Sequence, residues 1–328
     1  MRRWTAVAGS ALSAGVLCAG LVLTASPARA DDTVVVPGTS FPGTGTYLTY
    51  FGCVDLFHVD QRGPAALLKR DDAAPMGRRA VDLTLPGTGT AAGSVSLFSS
   101  VASAVSTLAV RAAAGSGGVA YTWYLAPDMA PGEVWSGRAV LTAAGDGWQQ
   151  VDATSATYEW TRYDAATGAP LEQAGAATID DFTTAHGDGP GYVLTGFGCD
   201  GGTFGVDAIR TGLPGSVTTY DLDGWSVTTG ISPTSARVKA GQEVTITGSS
   251  IGLDRPMGAT LALQARPEGA AEFQTVSETV VAGADGIVSA TVAPEVTTEY
   301  RWFFAERGYA DEHVSPAAKV VVKPAPAG

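Results

Sequence analysis

Short runs rich in Val, Thr, Tyr and Trp recur along the chain, set apart by clusters of Gly, Pro and Asp, and no stretch carries a convincing helix of ten or more residues. Apolar residues at every second position build half-buried strands, whereas an amphipathic helix needs a period near 3.6. An all-β fold is therefore expected. The candidate strands of the first part are Tyr47–Phe57, Val81–Leu85, Val105–Arg111, Val119–Leu125, Arg138–Ala143, Thr157–Tyr163, Gly191–Phe197, Phe204–Arg210 and Val217–Tyr220. The Ala/Gly/Ser-rich stretch from Thr88 to Gly118 alternates enough for edge strands and turns.

Near Gly230-Ile231-Ser232-Pro233 a last strand around Trp225–Thr229 gives way to a second, more regular series. It comprises Arg237–Lys239, Glu243–Thr247, Thr260–Arg266, Phe273–Val280, Ile287–Val292, Glu299–Phe304 and Lys319–Val322. Seven short strands in so few residues fit an immunoglobulin-like or fibronectin-III-like β-sandwich over 231–323. Ala284-Asp285-Gly286 reads as a hairpin turn between the fourth and fifth of them. Tyr300 stands where a tyrosine corner is expected, with Trp302 on the same face, and residues 324–328 read as a disordered tail. The run from Ser232 to Ile246, with Thr298-Glu299-Tyr300-Arg301-Trp302, resembles the small Ig-like domains appended to secreted proteins of GC-rich bacteria. That resemblance implies spacing or surface display.

In the first domain, 31–230, Phe204-Gly205-Val206-Asp207 resembles the late Phe-x-Val-Asp strand of jelly-roll carbohydrate-binding modules and concanavalin-A-like sandwiches. The resemblance implies a jelly-roll-like β-sandwich and a structural calcium ion held by Asp207. Ala208 stands where those modules often carry a second acidic residue. Asp180, Asp181, Asp188, Asp200, Asp221 and Asp223 would be further oxygen donors, although turn chemistry also accounts for Asp188-Gly189 and Asp200-Gly201.

Residues 1–30 read as a secretory signal peptide: Arg2 and Arg3, an uncharged Ala/Val/Leu stretch, then Ala28-Arg29-Ala30 before Asp31. Leu17 before Cys18 departs from a lipidation site. Cleavage would take Arg2, Arg3 and Arg29 from the 20 basic residues and leave 17 against 32 acidic ones, a net charge of −15. Nucleic acid and anionic membranes call for a basic footprint, so neither is an expected partner, and no membrane span is expected after cleavage. Cys53 and Cys199, in the matching contexts Phe51-Gly52-Cys53 and Phe197-Gly198-Cys199, are expected to form a disulfide in an oxidising compartment.

Aromatic residues crowd the middle of the first domain: Tyr121, Trp123, Tyr124, Trp135, Trp148, Tyr158, Trp160 and Tyr163. Tyr121 and Trp123 share a strand face, as do Tyr158 and Trp160, and such faces serve either as core or as platforms on which a pyranose ring stacks. Trp135 and Trp148, flanked by glycines, are the expected exposed, ligand-binding pair. No nucleophile elbow or zinc helix occurs, His58, His186 and His313 are scattered, and Glu133, Glu159 and Glu172 are the only glutamates of the first domain. The expectation is a secreted, non-catalytic protein that binds a ligand such as an extracellular glycan or cell-wall component and needs no catalytic cofactor. A structural or adhesive envelope protein and a divergent polysaccharide hydrolase are the alternatives.

Overall fold

The structure is a computed structural model that describes residues 31–323 apart from 38, 60–62, 253–255 and 257. The signal segment 1–30 and the tail 324–328 lie outside the described residues. The first part of the chain forms β1 (Asp32–Val35), β2 (Thr46–Gly52), β3 (Ala65–Arg70), β4 (Arg79–Leu85), β5 (Thr90–Phe98), β6 (Val105–Arg111) and β7 (Gly117–Tyr124). It continues through β8 (Glu133–Thr142), β9 (Trp148–Asp152), β10 (Tyr158–Asp164), β11 (Pro170–Ala177), helix α1 (Ile179–His186), β12 (Gly191–Phe197), β13 (Gly202–Leu213) and β14 (Ser216–Asp221). The second part adds β15 (Thr228–Pro233), β16 (Arg237–Lys239), β17 (Val244–Ile251), β18 (Thr260–Pro267), β19 (Gln274–Val280), β20 (Ile287–Val292), β21 (Thr298–Phe304), β22 (His313–Val314) and β23 (Ala318–Lys323). The protein is all-β, as its residue alternation dictates.

Two seven-stranded sheets make up the first part. One runs β11-β10-β8-β7-β12-β5-β2, every neighbour antiparallel. The other runs β1-β14-β13-β4-β3, with β6 on the free edge of β13 and β9 beyond it. Val81, Leu83, Leu108, Val110, Phe204, Val206 and Ile209 of the second sheet pack onto Leu48, Ala92 and Phe197 of the first. Burying a side chain of this size is worth about 1.5–3 kcal/mol. β5 is an inner strand of its sheet and is buried over most of its length, so the Ala/Gly/Ser-rich stretch supplies central strands rather than edges. At Gly93 a Cβ would stand 1.9 Å from the Thr195 carbonyl oxygen of β12, so glycine suits that position.

The remainder of the first sheet's inner face is covered by α1, whose Phe182 stacks on Trp160 at 4.0 Å and meets Tyr124 and Trp135 edge-on. Thr178 caps this helix by accepting from the Asp181 N–H, Asp180 and Asp181 complement its N-terminal dipole, and Gly187 ends it at φ +83. Two residues read from the sequence as possible oxygen donors to calcium thus belong to a helix start.

In the second part, β15-β17-β20 form one sheet and β16-β23-β21-β18-β19, with β22 on β21, the other. Tyr300, Trp302 and Phe304 share the buried face of β21, as the alternation predicts, and pack with Ile246, Leu261, Leu263 and Val288. The strand expected to close the first series is instead β15, paired with β17, so the changeover between sheets falls between Asp221 and Thr228. Ala284-Asp285-Gly286 does not close a hairpin: β19 and β20 lie in different sheets. Its turn chemistry is as expected, with Asp285 accepting from the Ile287 N–H and Gly286 at φ +72, but local chemistry does not choose the strand's partner.

The two parts meet at Arg79, 1% exposed, which pairs with Asp311 at 2.8 Å, Glu306 at 3.6 Å and Asp223 at 3.8 Å. The Trp225 N–H donates to the Tyr309 carbonyl across the same junction.

Candidate functional site

Strand alternation gives the first sheet an inner face, facing the second sheet and α1, and an outer face. Tyr124, Trp135, Gly137 and Trp160 point inward, so Tyr121, Trp123, Ser136, Arg138, Glu159 and Thr161 point outward. Register turns these into two cross-strand rows. One runs Thr161–Ser136–Trp123–Tyr192–Leu97 over β10, β8, β7, β12 and β5. The next runs Glu159–Arg138–Tyr121–Leu194–Val95–Tyr47 and reaches β2.

The second row is partly roofed. Phe51, Cys53, Val95, Val119, Tyr121 and Leu194 form a buried cluster on this outer face, beneath the segment that follows Cys53. Cys53 and Cys199 are joined in a disulfide, their Cα atoms 5.8 Å apart, as the paired Phe-Gly-Cys contexts predict. The Tyr121 hydroxyl donates to the Gly52 carbonyl at 3.0 Å and Arg138 Nε to the Cys53 carbonyl at 2.8 Å. Burial raises the Tyr121 phenol's pKa, keeping it a neutral donor. Farther along, Phe57 is 69% exposed and sets its ring 5.0 Å from Trp123, edge to face.

Opposite this roof stands the turn after β10. Asp164 Oδ1 accepts from the Thr167 and Ala166 N–H groups, which hold its carboxyl below the usual range. Between the two walls lies an open cleft of about 750 Å³ lined by Asp55, Phe57, Trp123, Arg138, Glu159 and Tyr163, with Ser136 and Thr161 on its floor. Beyond it the aromatic surface continues through Tyr192, 5.7 Å from Trp123, to Tyr47 and Leu97, both about half exposed. Desolvation, with the Tyr47 hydroxyl nearby, raises the Tyr192 pKa.

No protein family and no curated protein matches the chain. Solved structures that align with it include a superoxide reductase (neelaredoxin) from Ignicoccus hospitalis, at 14% identity over 29% of this chain and 80% of that one, with a TM-score of 0.25. A mouse coronavirus receptor-binding domain complexed with its murine receptor aligns at 11% identity over 70% of this chain and all of that one, TM-score 0.23. Red sea bream transglutaminase aligns at 10% identity over 82% of this chain and 32% of that one, TM-score 0.19. Likeness this slight fixes neither the fold nor the function of the chain.

The residues singled out from the sequence fall elsewhere. Trp135 is only 3% exposed: it shares the inner face of β8 with Gly137 and lies 5.0 Å from Phe182 and 5.1 Å from His186. The glycines beside it say nothing about which face it takes, because strand parity decides that. Trp148 is half-buried on the other sheet, lying over Gly205, where a Cβ would stand 3.1 Å from its ring. Its Nε1 donates to Asp71 Oδ2 at 3.0 Å, and the Arg111 guanidinium sits 5.2 Å from its ring. The two tryptophans therefore do not share a surface.

Asp207 is fully buried at a bulge where Ala208 takes φ +47, a strained value for a residue with a Cβ. Its Oδ1 accepts from the Leu222 N–H and its Oδ2 from the Met76 N–H, both at 3.0 Å. Burial pushes its pKa to about 6, against the opposing pull of those N–H groups. Each carboxylate oxygen thus holds one backbone N–H inside the fold, tying β13 to the segments around Leu222 and Met76. Among the described residues no group of three or more His, Cys, Asp or Glu is arranged to hold a metal ion.

Sequence reasoning missed Phe57, Arg138, Glu159 and Tyr192 as groove residues. The shared face of Tyr121 and Trp123 was visible in the alternation, but the strands lying beside it were not.

Proposed function

We propose that this is a secreted, non-catalytic protein whose first sandwich binds a glycan in the cleft floored by Trp123, while the second sandwich acts as a spacer. The carrying observation is the open row Thr161–Ser136–Trp123–Tyr192–Leu97 beside Phe57, which joins aromatic faces to hydroxyl and charged groups on a rigid sheet. Sugars are recognised in this way, by stacking of their C–H face and hydrogen bonding at their rim.

Binding without turnover is supported by what occupies the cleft's carboxylates. Hydrolysis of a glycosidic bond takes a general acid held protonated near neutral pH and a second carboxylate across the bond. The N–H groups of its turn lower the pKa of Asp164, which disfavours this cleft carboxylate as the general acid.

Two jelly-roll-like sheets in the first part, and an Ig-like second part, are the arrangement we infer. Support for the latter comes from β17 and β20 in one sheet and β18 and β21 in the other, an alternation shared by Greek-key sandwiches. Export is supported by the signal-like residues 1–30 and by the disulfide, and no described helix is long and apolar enough to cross a membrane.

The experiment is retention of the full chain on a panel of polysaccharides, with reducing ends measured in parallel. Retention by at least one polysaccharide without release of reducing ends is expected. No retention by any of them, or sustained release, would contradict the proposal.

A further inference from the structure

We infer that the ligand is an extended glycan chain free of acidic groups, lying across the strands so that several sugar units are engaged at once. This rests on the glycan reading above and adds to it the ligand's length and charge.

Length follows from how far the outer-face surface extends. The cleft lies over β10, β8 and β7, but the aromatic surface continues onto β12 with Tyr192 and reaches β2 with Tyr47, 45% exposed. Six neighbouring strands spaced about 4.8 Å apart span roughly 24 Å, far more than one ring can cover. The roof covers Tyr121, Leu194 and Val95 of one row and leaves Trp123, Tyr192 and Leu97 of the next partly open, which makes a track rather than a closed pocket. A surface of this length engages several sugar units at once.

Charge follows from the lining. Asp55, Glu159 and Asp164 face the cleft, and Arg138 is the single cation among its described lining residues. The Nε of that arginine is taken by the Cys53 carbonyl, and the whole chain carries a net charge of −12. A uronate- or sulfate-bearing polymer would be repelled both locally and at a distance.

The test measures affinity of the full chain, by calorimetry, for neutral gluco- and N-acetylglucosamine oligomers of two to six units and for oligogalacturonates of the same lengths. The expected result is at least tenfold tighter binding of a neutral hexamer than of its dimer, with the acidic hexamer at least tenfold weaker than the neutral one. Tyr47→Ala, at the β2 end of the surface, should weaken hexamer binding by a larger factor than dimer binding, and equal weakening of both would contradict the extended mode. Length-independent affinity, or preference for the acidic series, would overturn the inference while leaving glycan binding in place. Failure of every oligomer to bind, in a chain also not retained by any polysaccharide, would remove the glycan reading and this inference together.

Discussion

Arg138 on β8 donates through Nε to the carbonyl of Cys53 at 2.8 Å, tying the floor of the groove to the residue that the disulfide anchors from the other side. The wall carrying Phe57 is therefore held at its root by one covalent and two polar links, the second being Tyr121 to Gly52. A charged donor bound to a backbone acceptor is worth about 1.5–3 kcal/mol, more than a neutral pair.

Removing the disulfide should accordingly affect stability and binding together. Closing a loop of 146 residues restricts the unfolded chain by about 5 kcal/mol on the entropic account, with measured losses typically 2–5 kcal/mol. Cys53→Ala/Cys199→Ala is expected to lower the unfolding free energy obtained from urea titration by about 2–5 kcal/mol, with a lower urea midpoint. It should also weaken glycan binding, because Phe57 loses its anchored root. A double variant with unchanged midpoint and unchanged affinity would show that the bridge supports neither.

Trp135→Ala should behave as a core lesion. The indole packs on Phe182 and His186 with the Arg162 guanidinium 5.7 Å from its ring, and truncating a buried tryptophan costs about 3–5 kcal/mol. Thermal unfolding should report a large drop in midpoint, whereas Trp135→Phe should recover much of it. A fully stable Trp135→Ala would contradict its place in the interior.

The all-β class, the alternation of β21 and the pairing of Cys53 with Cys199 were all legible in the sequence, because each depends on local period or on compartment chemistry. The groove was not. Tyr121 and Trp123 were known to share a face, but whether that face turns outward depends on where the second sheet and α1 pack, which is a tertiary outcome. Trp135 was misplaced for the same reason, since neighbouring glycines mark bends and do not fix parity. The hydrogen-bond partners of Asp207, Met76 and Leu222, lie far away in sequence and leave no local signal.

Asp221 predicts a pH dependence. It is 7% exposed, one carboxylate oxygen has no hydrogen-bond partner, and burial, with Asp223 nearby, pushes its pKa to about 6. The unfolded value is about 3.9. Between those values the folded state binds more protons than the unfolded state, so stability from this group is present below about pH 4 and is lost as pH rises through about 6. Asp221→Asn removes the buried charge and should raise stability at pH 8 by about 1–3 kcal/mol, with a flatter pH profile between 4 and 6. Urea unfolding at pH 4, 6 and 8 provides the check. A variant less stable at pH 8, or one with the wild-type profile, would contradict this account.

The central claim is that binding lies on the outer face at Trp123 and not at the tryptophans the sequence singled out. Its most direct test compares Trp123→Ala and Trp148→Ala, both folded by circular dichroism, for affinity toward one retained polysaccharide. Trp123→Ala should lose at least tenfold in affinity, about 1.4 kcal/mol, while Trp148→Ala stays within twofold of wild type. Loss of binding in Trp148→Ala with wild-type affinity in Trp123→Ala would contradict the account.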